Sequence, residues 1–221
     1  EYDFDRRRSI IESDSACSDD VWRQFSELGW LSIPFDESYG GFGGHADDLA
    51  GVMLELGKGL IIEPYMSTVV VFGSLLNASN NDSLKEQLIP RIINGQYKGS
   101  FAYAEEQSRF EISDVKTSAQ KCGDGYKLNG TKIAVIDAKE SDGLIVTART
   151  GGSQYGAEGI SLFLVDTSAE GVAVSSYNTM DSHSSSTINL ENVFVTEANL
   201  IVDEGKGFRH IESCLPQILL C

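Results

Sequence analysis

The spacing of apolar residues changes once along this sequence, in the stretch from Gly99 to Asp114. Before this stretch apolar residues recur every three or four positions, as on one face of an α-helix; after it they alternate, as in a half-buried β-strand. The change predicts a mainly helical part from Ser18 to Asn94, followed by a mainly β part from Gly99 to Val202. The polar segment Glu105–Ser113 is predicted to be an ordered connection at the junction, where ligand sites preferentially lie.

The helical part contains several start and stop signals. Ser18 is followed by two aspartates and an apolar stripe, which predicts a capped helix, and a second helix begins near Ala46. The run Val69–Leu76 favours a buried helix, although its three valines would also suit a strand. A capping box that opens at Ser83 predicts a short helix, and Pro90 is predicted to start a separate turn because proline disrupts helix interiors.

A glycine-rich loop, Tyr39–His45, separates the first two predicted helices. Such a loop can cradle a phosphate, but this one lacks the Gly-Lys-Ser/Thr ending of a P-loop and the strand-to-helix setting of a dinucleotide site. We favour a structural turn, because tight turns need glycine for backbone reasons alone. Phosphate binding is the alternative.

The β part contains seven or eight short apolar segments with no helical spacing between them. This pattern predicts a closed or nearly closed antiparallel barrel or sandwich. Asn129-Gly130 is the strongest two-residue turn signal in the chain.

A helix is predicted to restart at Gly205, close to the end of the sequence. Its apolar residues Phe208, Ile211 and Leu215 have little following chain to cover them, so we expect an exposed stripe that promotes association. The fold class is therefore α+β multidomain, a helical domain followed by an antiparallel β-barrel. The expected domains are an N-terminal helical domain (1–97), a middle β-barrel domain (98–203) and the truncated start of a C-terminal helical domain (204–221).

Charge and composition exclude several classes of partner. The 17 basic and 33 acidic side chains give a formal net charge of −16 at pH 7, which repels nucleic acid and anionic membranes alike. No apolar run reaches the length of a membrane span, whereas the 41% apolar content is enough for a buried core. The cysteines and histidines show no metal or redox spacing. We therefore expect no metal site and, without a secretory signal, reduced thiols in the cytoplasm.

Several separated segments resemble the acyl-CoA dehydrogenases, flavoproteins that introduce a double bond between Cα and Cβ of acyl-CoA thioesters. The similar segments occur in the family's order: Leu31–Gly44, Leu88–Gly95, Asn129–Lys132, Ile160–Asp166 and Asn192–Val195. Several motifs in order over nearly the whole chain are more specific than any one motif. A closer similarity, to small subunits of heteromeric members such as that of pimeloyl-CoA dehydrogenase, rests on Glu63–Tyr65, Gln107–Phe110 and Leu144–Thr150.

The resemblance implies a subunit or fragment of an FAD-dependent oxidoreductase that acts on acyl-CoA. It also implies an electron-transfer flavoprotein as electron acceptor, and a larger homologous subunit or self-association. The residues that it places at the cofactor are Tyr103, Ala104, Gln107, Ser108, Arg109, Ala134 and Ile136. We favour Arg109 most, because a guanidinium offers a fork for phosphate. Local pairing with Glu106 or Glu111 is the alternative.

The sequence departs from the catalytic members at two flavin-contacting places. Where those members have Thr-Glu-Pro and then Gly-Ser-Asp, this chain has Ala104-Glu-Glu and then Arg109-Phe-Glu. Where they have Trp-Ile-Thr, it has Ala134-Val-Ile, so an aromatic wall and a hydroxyl donor are both missing. This chain alone is therefore expected to retain little FAD. The glutamates of the connection are expected to form a solvated edge rather than a desolvated base: Glu105, Glu106 and Glu111.

The family's catalytic glutamate lies on a helix of a C-terminal domain that has no counterpart in this sequence, so no residue here is assigned as catalytic. Two functions follow. The first is the subunit without the catalytic base in a heteromeric acyl-CoA dehydrogenase. The second is a flavin-free scaffold or acyl-binding module that has kept the fold and lost the chemistry.

Overall fold

The computed structural model describes residues 2–13, 15 and 17–221. Its first helices are α1 (Phe4–Ile11), α2 (Asp19–Glu27), α3 (Ala46–Lys58), a π-helical segment (Met66–Phe72) that continues directly as α4 (Gly73–Asn77), and α5 (Asp82–Ile93). The Ser18 hydroxyl caps α2 by accepting from the Val21 N–H. The run Val69–Leu76 is helical despite its valines, because it crosses the middle of the core, where nearly all its side chains are buried.

Helix α5 differs from the prediction at both ends. Asn81, not Ser83, is its N-cap, and the Asn81 side chain accepts a hydrogen bond from the Leu84 N–H. Pro90 lies inside the helix rather than at the start of a separate turn. The carbonyl that loses its intrahelical donor to Pro90 belongs to Glu86, which is exposed to water. Buried Ile89 and Ile92 hold this last turn against the core.

The glycine-rich loop is a structural turn, as favoured above. The amide N–H groups of residues 41–44 all donate to backbone carbonyls of residues 32–36. A Cβ at Gly41 would lie 1.9 Å from the carbonyl oxygen of Phe35, so only glycine fits this close approach. No amide in this turn is left to bind phosphate.

The β part is one curled sheet. Its strands are β1 (Gly99–Ala102), β2 (Ser118–Cys122), β3 (Gly125–Ile136), β4 (Gly143–Arg149), β5 (Ile160–Asp166), β6 (Val172–Asn178) and β7 (Ser184–Thr196). The order across the sheet is β1-β4-β2-β3-β7-β6, with β5 also paired to β4. Most neighbours are antiparallel, as predicted, but β1 and β2 both run parallel to β4, so the sheet is mixed and forms a half-barrel. The predicted fold class, a helical domain followed by a β domain, is confirmed.

The Asn129-Gly130 pair is not a turn. Strand β3 continues through it, and a register shift against β7 falls between Leu128 and Gly130. Gly130 has φ +155°, and a Cβ there would lie 2.4 Å from the Thr117 hydroxyl oxygen. This glycine is needed for close packing at a bulge rather than for chain reversal.

Helix α6 (Gly207–Leu220) does not carry the exposed stripe that the sequence predicts. Ile211 is buried, and Phe208 and Leu215 are only partly exposed. Ile211 and Leu215 belong to a core that also contains Phe72 from the helical part and Leu162 from the sheet, so the two parts share one apolar interior. No helix in the described part of the chain is long and apolar enough to cross a bilayer.

Candidate functional site

An apolar cavity of about 270 Å³ lies where the π-helical segment, the sheet and α6 meet. This is the junction at which the sequence predicts a ligand site. The helices line it with Met66, Ser67, Val71, Ile211, Leu215, Ile218 and Leu219. The β part lines it with Phe101, Tyr103, Ile112, Ala134 and Ile136.

Three of the seven predicted cofactor-contacting residues line this cavity. The Tyr103 ring stacks on Phe101, with centroids 5.2 Å apart and planes at 25°. Ala134 has φ +51° and lies at the second register shift of β3, which turns this part of the strand toward the cavity. Ile136 follows two residues later. The structure therefore brings Tyr103, Ala134 and Ile136 together around one apolar space.

The cavity wall offers few polar groups. It contains no Asp, Glu, His, Lys or Arg among the described residues. The Ser67 hydroxyl donates to Asp137 Oδ2 at 2.7 Å and is thereby occupied, which leaves the Tyr103 hydroxyl. A flavin ring has a polar edge that needs several hydrogen-bond partners when buried. The side chains of this cavity therefore do not fit a flavin ring by themselves, whereas an aliphatic chain suits them.

A second, more polar cavity of about 460 Å³ adjoins the first and shares Met66 and Ile136 with it. Its ionisable groups include Asp137, Asp181 and His183, and His183 Nδ1 lies 3.9 Å from Asp137 Oδ1. The interaction with Asp137 raises the pKa of His183, although burial opposes it. His183 therefore keeps its proton to a higher pH than an ordinary histidine does.

Glu105 is buried, so the expectation of a solvated edge is wrong for this residue. Its side chain is 3% exposed, and its Oε1 accepts from the Nζ of the fully buried Lys132 at 2.7 Å. Its carboxylate also accepts from the backbone N–H groups of Lys116 at 2.8 Å and Thr117 at 3.0 Å. Lys132 donates in addition to the Thr147 hydroxyl at 2.7 Å. The ion pair between Glu105 and Lys132 therefore links the connection, Glu105–Ser113, to the inside of the sheet.

These contacts fix the charges of both groups. Burial alone would raise the pKa of Glu105, but the attraction and hydrogen bond of Lys132, with hydrogen bonds from Gln107 and Thr117, lower it to about 2. Burial lowers the pKa of Lys132 to about 8 against the attraction of Glu105. At neutral pH Glu105 is a fixed, fully bonded carboxylate and not an available base.

Three other predicted residues hold the connection in shape. Gln107 Nε2 donates to Glu105 Oε2 at 2.9 Å. The Ser108 hydroxyl donates to the Glu105 carbonyl at 2.9 Å and accepts from the Glu105 N–H at 3.0 Å. The Ala104 carbonyl accepts from the Ile133 N–H at 2.9 Å. The Gln107 and Ser108 side chains are thus occupied inside the loop.

Arg109 lies apart from the cavity wall, on the outer surface of the connection. It is exposed and has φ +48°, and among the described residues its side chain makes no ion pair with Glu106 or Glu111. The alternative of local pairing is therefore wrong within the described part of the chain. The guanidinium remains available to a ligand or a partner.

Arg149 is a second cation that the sequence analysis missed. It donates to six backbone carbonyls on the 111–117 and 150–159 segments, at 2.8–3.4 Å: Ser113, Val115, Gly151, Gln154, Gly156 and Glu158. Arg149 is the lone cation of β4, whose other residues are largely apolar, and Lys132 directly precedes the apolar run Ile133–Ile136 of β3. That is the sequence signal by which both could have been found.

Comparisons with known proteins agree over both parts of the chain. Residues 5–96 match the model of the "Acyl-CoA dehydrogenase, N-terminal domain", and residues 100–193 match that of the "Acyl-CoA dehydrogenase, middle domain". Probable acyl-CoA dehydrogenase YngJ of Bacillus subtilis is 34% identical over 194 residues, which cover 86% of this chain and 51% of YngJ. The chain spans about half the length of the curated relatives that it matches.

Solved structures have the same fold. The ChsE4-ChsE5 complex of Mycobacterium tuberculosis matches with a TM-score of 0.86 at 25% identity, over 98% of this chain and 55% of that chain. Butyryl-CoA dehydrogenase of Megasphaera elsdenii matches with a TM-score of 0.86 at 23% identity, over 98% of this chain and 59% of that chain. The second likeness is one of fold alone.

Proposed function

We infer from this chain's membership of the acyl-CoA dehydrogenase family, whose N-terminal and middle domains it carries, that it is part of an FAD-dependent enzyme for α,β-dehydrogenation of acyl-CoA thioesters. Within that enzyme it is the part without the catalytic base, a small subunit of the kind found in heteromeric members such as pimeloyl-CoA dehydrogenase. The observation that carries this proposal is an apolar cavity at the domain junction whose wall, over the residues that the structure describes, contains no carboxylate and no histidine.

The chemistry of the reaction explains why this observation matters. Removing a proton α to a thioester needs a positioned base and hydrogen-bond donors for the developing enolate oxygen. The wall of the apolar cavity has no base among the described residues, and the Tyr103 hydroxyl is its free side-chain donor, so the contribution of this cavity is to bind the apolar part of the acyl group and exclude water. The base and the missing flavin contacts then come from a larger homologous subunit, and an electron-transfer flavoprotein accepts the electrons. The similar ChsE4-ChsE5 structure is a complex of two named components.

We expect this chain, expressed alone, to retain little or no FAD and to lack acyl-CoA dehydrogenase activity. Co-expression with a larger homologous subunit is expected to restore both. Size-exclusion chromatography with flavin absorbance, followed by dye reduction with a panel of acyl-CoAs, measures the two properties on the same material. A yellow monomer that turns over substrate unaided would contradict the proposal.

Arg109→Ala is expected to weaken retention of FAD or acyl-CoA in the assembled complex, with no change in folding. The guanidinium is exposed and unpaired, and loss of a charge-assisted hydrogen bond costs about 1.5–3 kcal/mol. Titration of each ligand against the complex measures the loss. Arg23→Ala removes an arginine that pairs on the surface with Asp20 and serves as the control. Unchanged affinity for both ligands would show that Arg109 contacts neither.

The second function, a flavin-free scaffold or acyl-binding module, is favoured by one specific feature. The cavity suits an aliphatic chain, but among the described side chains of its wall one hydroxyl donor, that of Tyr103, is free for a flavin ring. In that case the co-expressed complex would still bind acyl-CoA through this chain but would gain no flavin from its presence. Flavin stoichiometry per complex therefore separates the two functions.

A further inference from the structure

The edges of the sheet that β5 and β6 form differ in how they are covered. The outer edge of β5 is protected by residues 200–206, which bridge to it at Ile160 and Phe163. Strand β6 forms the opposite edge and pairs only with β7. Within the described part of the chain, no further backbone hydrogen bond reaches residues 173–178 from another segment. The outer edge of β6 is therefore bare.

Strand β6 also lacks the features by which proteins protect a bare edge. Its sequence, Val-Ala-Val-Ser-Ser-Tyr-Asn, contains no charged residue and no proline. Its pairing with β7 is regular from Val172 to Asn178, with no bulge to bend the edge away. Every side chain from Ala173 to Asn178 is exposed, on both faces of the strand. Such an edge is a template for pairing with another strand.

We propose that β6 pairs with β6 of a second copy of this chain, antiparallel across a twofold axis, so that two sheets become one. The register about Ser175 is self-complementary. Tyr177 lies opposite Ala173 of the copy, Val174 opposite Ser176, and Ser175 opposite itself. Large side chains thus face small ones, and no like charges face each other.

The charge of the chain favours this edge as the place of contact. Two copies with a formal charge of −16 each repel one another over most of their surfaces. The seven residues of β6 are free of charge, so no carboxylates face each other within the paired strands, and the nearest acidic residues in the sequence, Glu170 and Asp181, lie beyond the two ends of the strand. One strand pair buries a small area, which predicts a concentration-dependent dimer that added salt strengthens.

A charge-swap experiment at Ser175 tests this pairing. Ser175→Lys and Ser175→Glu each place like charges across the axis, and each is expected to weaken the dimer at least about tenfold. An equimolar mixture of the two variants is expected to restore it, because Lys then faces Glu. Gln87→Lys adds the same charge at an exposed position of α5 and leaves dimerisation unchanged. Sedimentation velocity over a concentration series measures all four samples.

Two outcomes would overturn the pairing. One is a wild-type chain that stays monomeric up to the highest soluble concentration, at low and at high salt. The other is a dimer that survives both Ser175 variants, which would place the contact elsewhere. Thermal unfolding of each variant verifies that the fold is intact, and flavin content plays no part in the measurement. The result is therefore independent of the proposed enzymatic function.

Discussion

Replacing Lys132 by methionine is expected to lower the free energy of unfolding by about 3–5 kcal/mol. The side chain is completely buried, and its Nζ is the cationic partner of the Glu105 carboxylate at 2.7 Å. Methionine fills similar space but leaves a buried carboxylate without its counter-charge. Backbone N–H groups still reach Glu105, but they do not neutralise it. Denaturant unfolding at pH 7 measures the loss.

Two further variants isolate the cause. Lys132→Met combined with Glu105→Gln removes both charges and keeps a side-chain oxygen that accepts from the N–H groups of Lys116 and Thr117. It is expected to recover most of the lost stability, because no buried charge is then left without its partner. Lys121→Met breaks an ion pair with Glu197 in which the lysine is 61% exposed, and it is expected to leave the unfolding midpoint unchanged. A single variant that is no less stable than the double variant would show that the charge pair is not the cause.

The same pair predicts an acid-sensitive component of stability. The pKa of Glu105 is lowered to about 2 in the folded chain, whereas an unfolded glutamate titrates at about 4.3. The unfolded state therefore binds more protons between these values, so this contribution is complete above about pH 5 and is lost as the pH falls toward 2. Unfolding curves at several pH values should show a shallower acid loss in the double variant than in the wild type.

The order of the two domains and most helices could be predicted because they depend on local spacing. Val69–Leu76 was correctly favoured as a helix, since its length and burial outweigh the strand preference of valine. The predictions of a separate turn at Pro90 and of a two-residue turn at Asn129-Gly130 were wrong for a common reason, since each relied on a local signal that the surroundings override. The helix continues through Pro90 because the residue whose carbonyl loses its hydrogen-bond donor, Glu86, is exposed to water. Gly130 lies inside a strand because the close contact with Thr117 leaves no room for a Cβ.

The site was predictable only in part. Family resemblance pointed to Tyr103, Ala134 and Ile136, which do line one cavity. It could not show that Glu105 is buried, because a charged residue in a polar segment is predicted to be exposed to solvent. The partner that permits this burial, Lys132, is 27 residues away in the sequence. Such pairs become visible only when the fold brings distant segments together.

Arg149→Met is expected to release two loops beside the candidate site and to lower the free energy of unfolding by at least about 3 kcal/mol. The guanidinium is the shared donor for six carbonyls on segments 111–117 and 150–159. Without the guanidinium those carbonyls need water as their hydrogen-bond donor, and the two loops are no longer held by one shared side chain. Because Ile112 lines the apolar cavity at the start of the first loop, we expect the cavity wall to loosen as well.

Amide hydrogen exchange distinguishes this local release from general loss of stability. The Val115 N–H, which donates to the Gln154 carbonyl across the two loops at 3.2 Å, is expected to exchange at least about tenfold faster in Arg149→Met under native conditions. The exchange rates of amides within β5 should rise only by the amount that the loss of global stability accounts for. Arg209→Met removes an exposed arginine on α6, and it should change the exchange rate neither of the Val115 amide nor of the β5 amides. If the amides of both loops keep their wild-type protection in Arg149→Met, then backbone contacts and loop packing hold this wall of the site without the guanidinium.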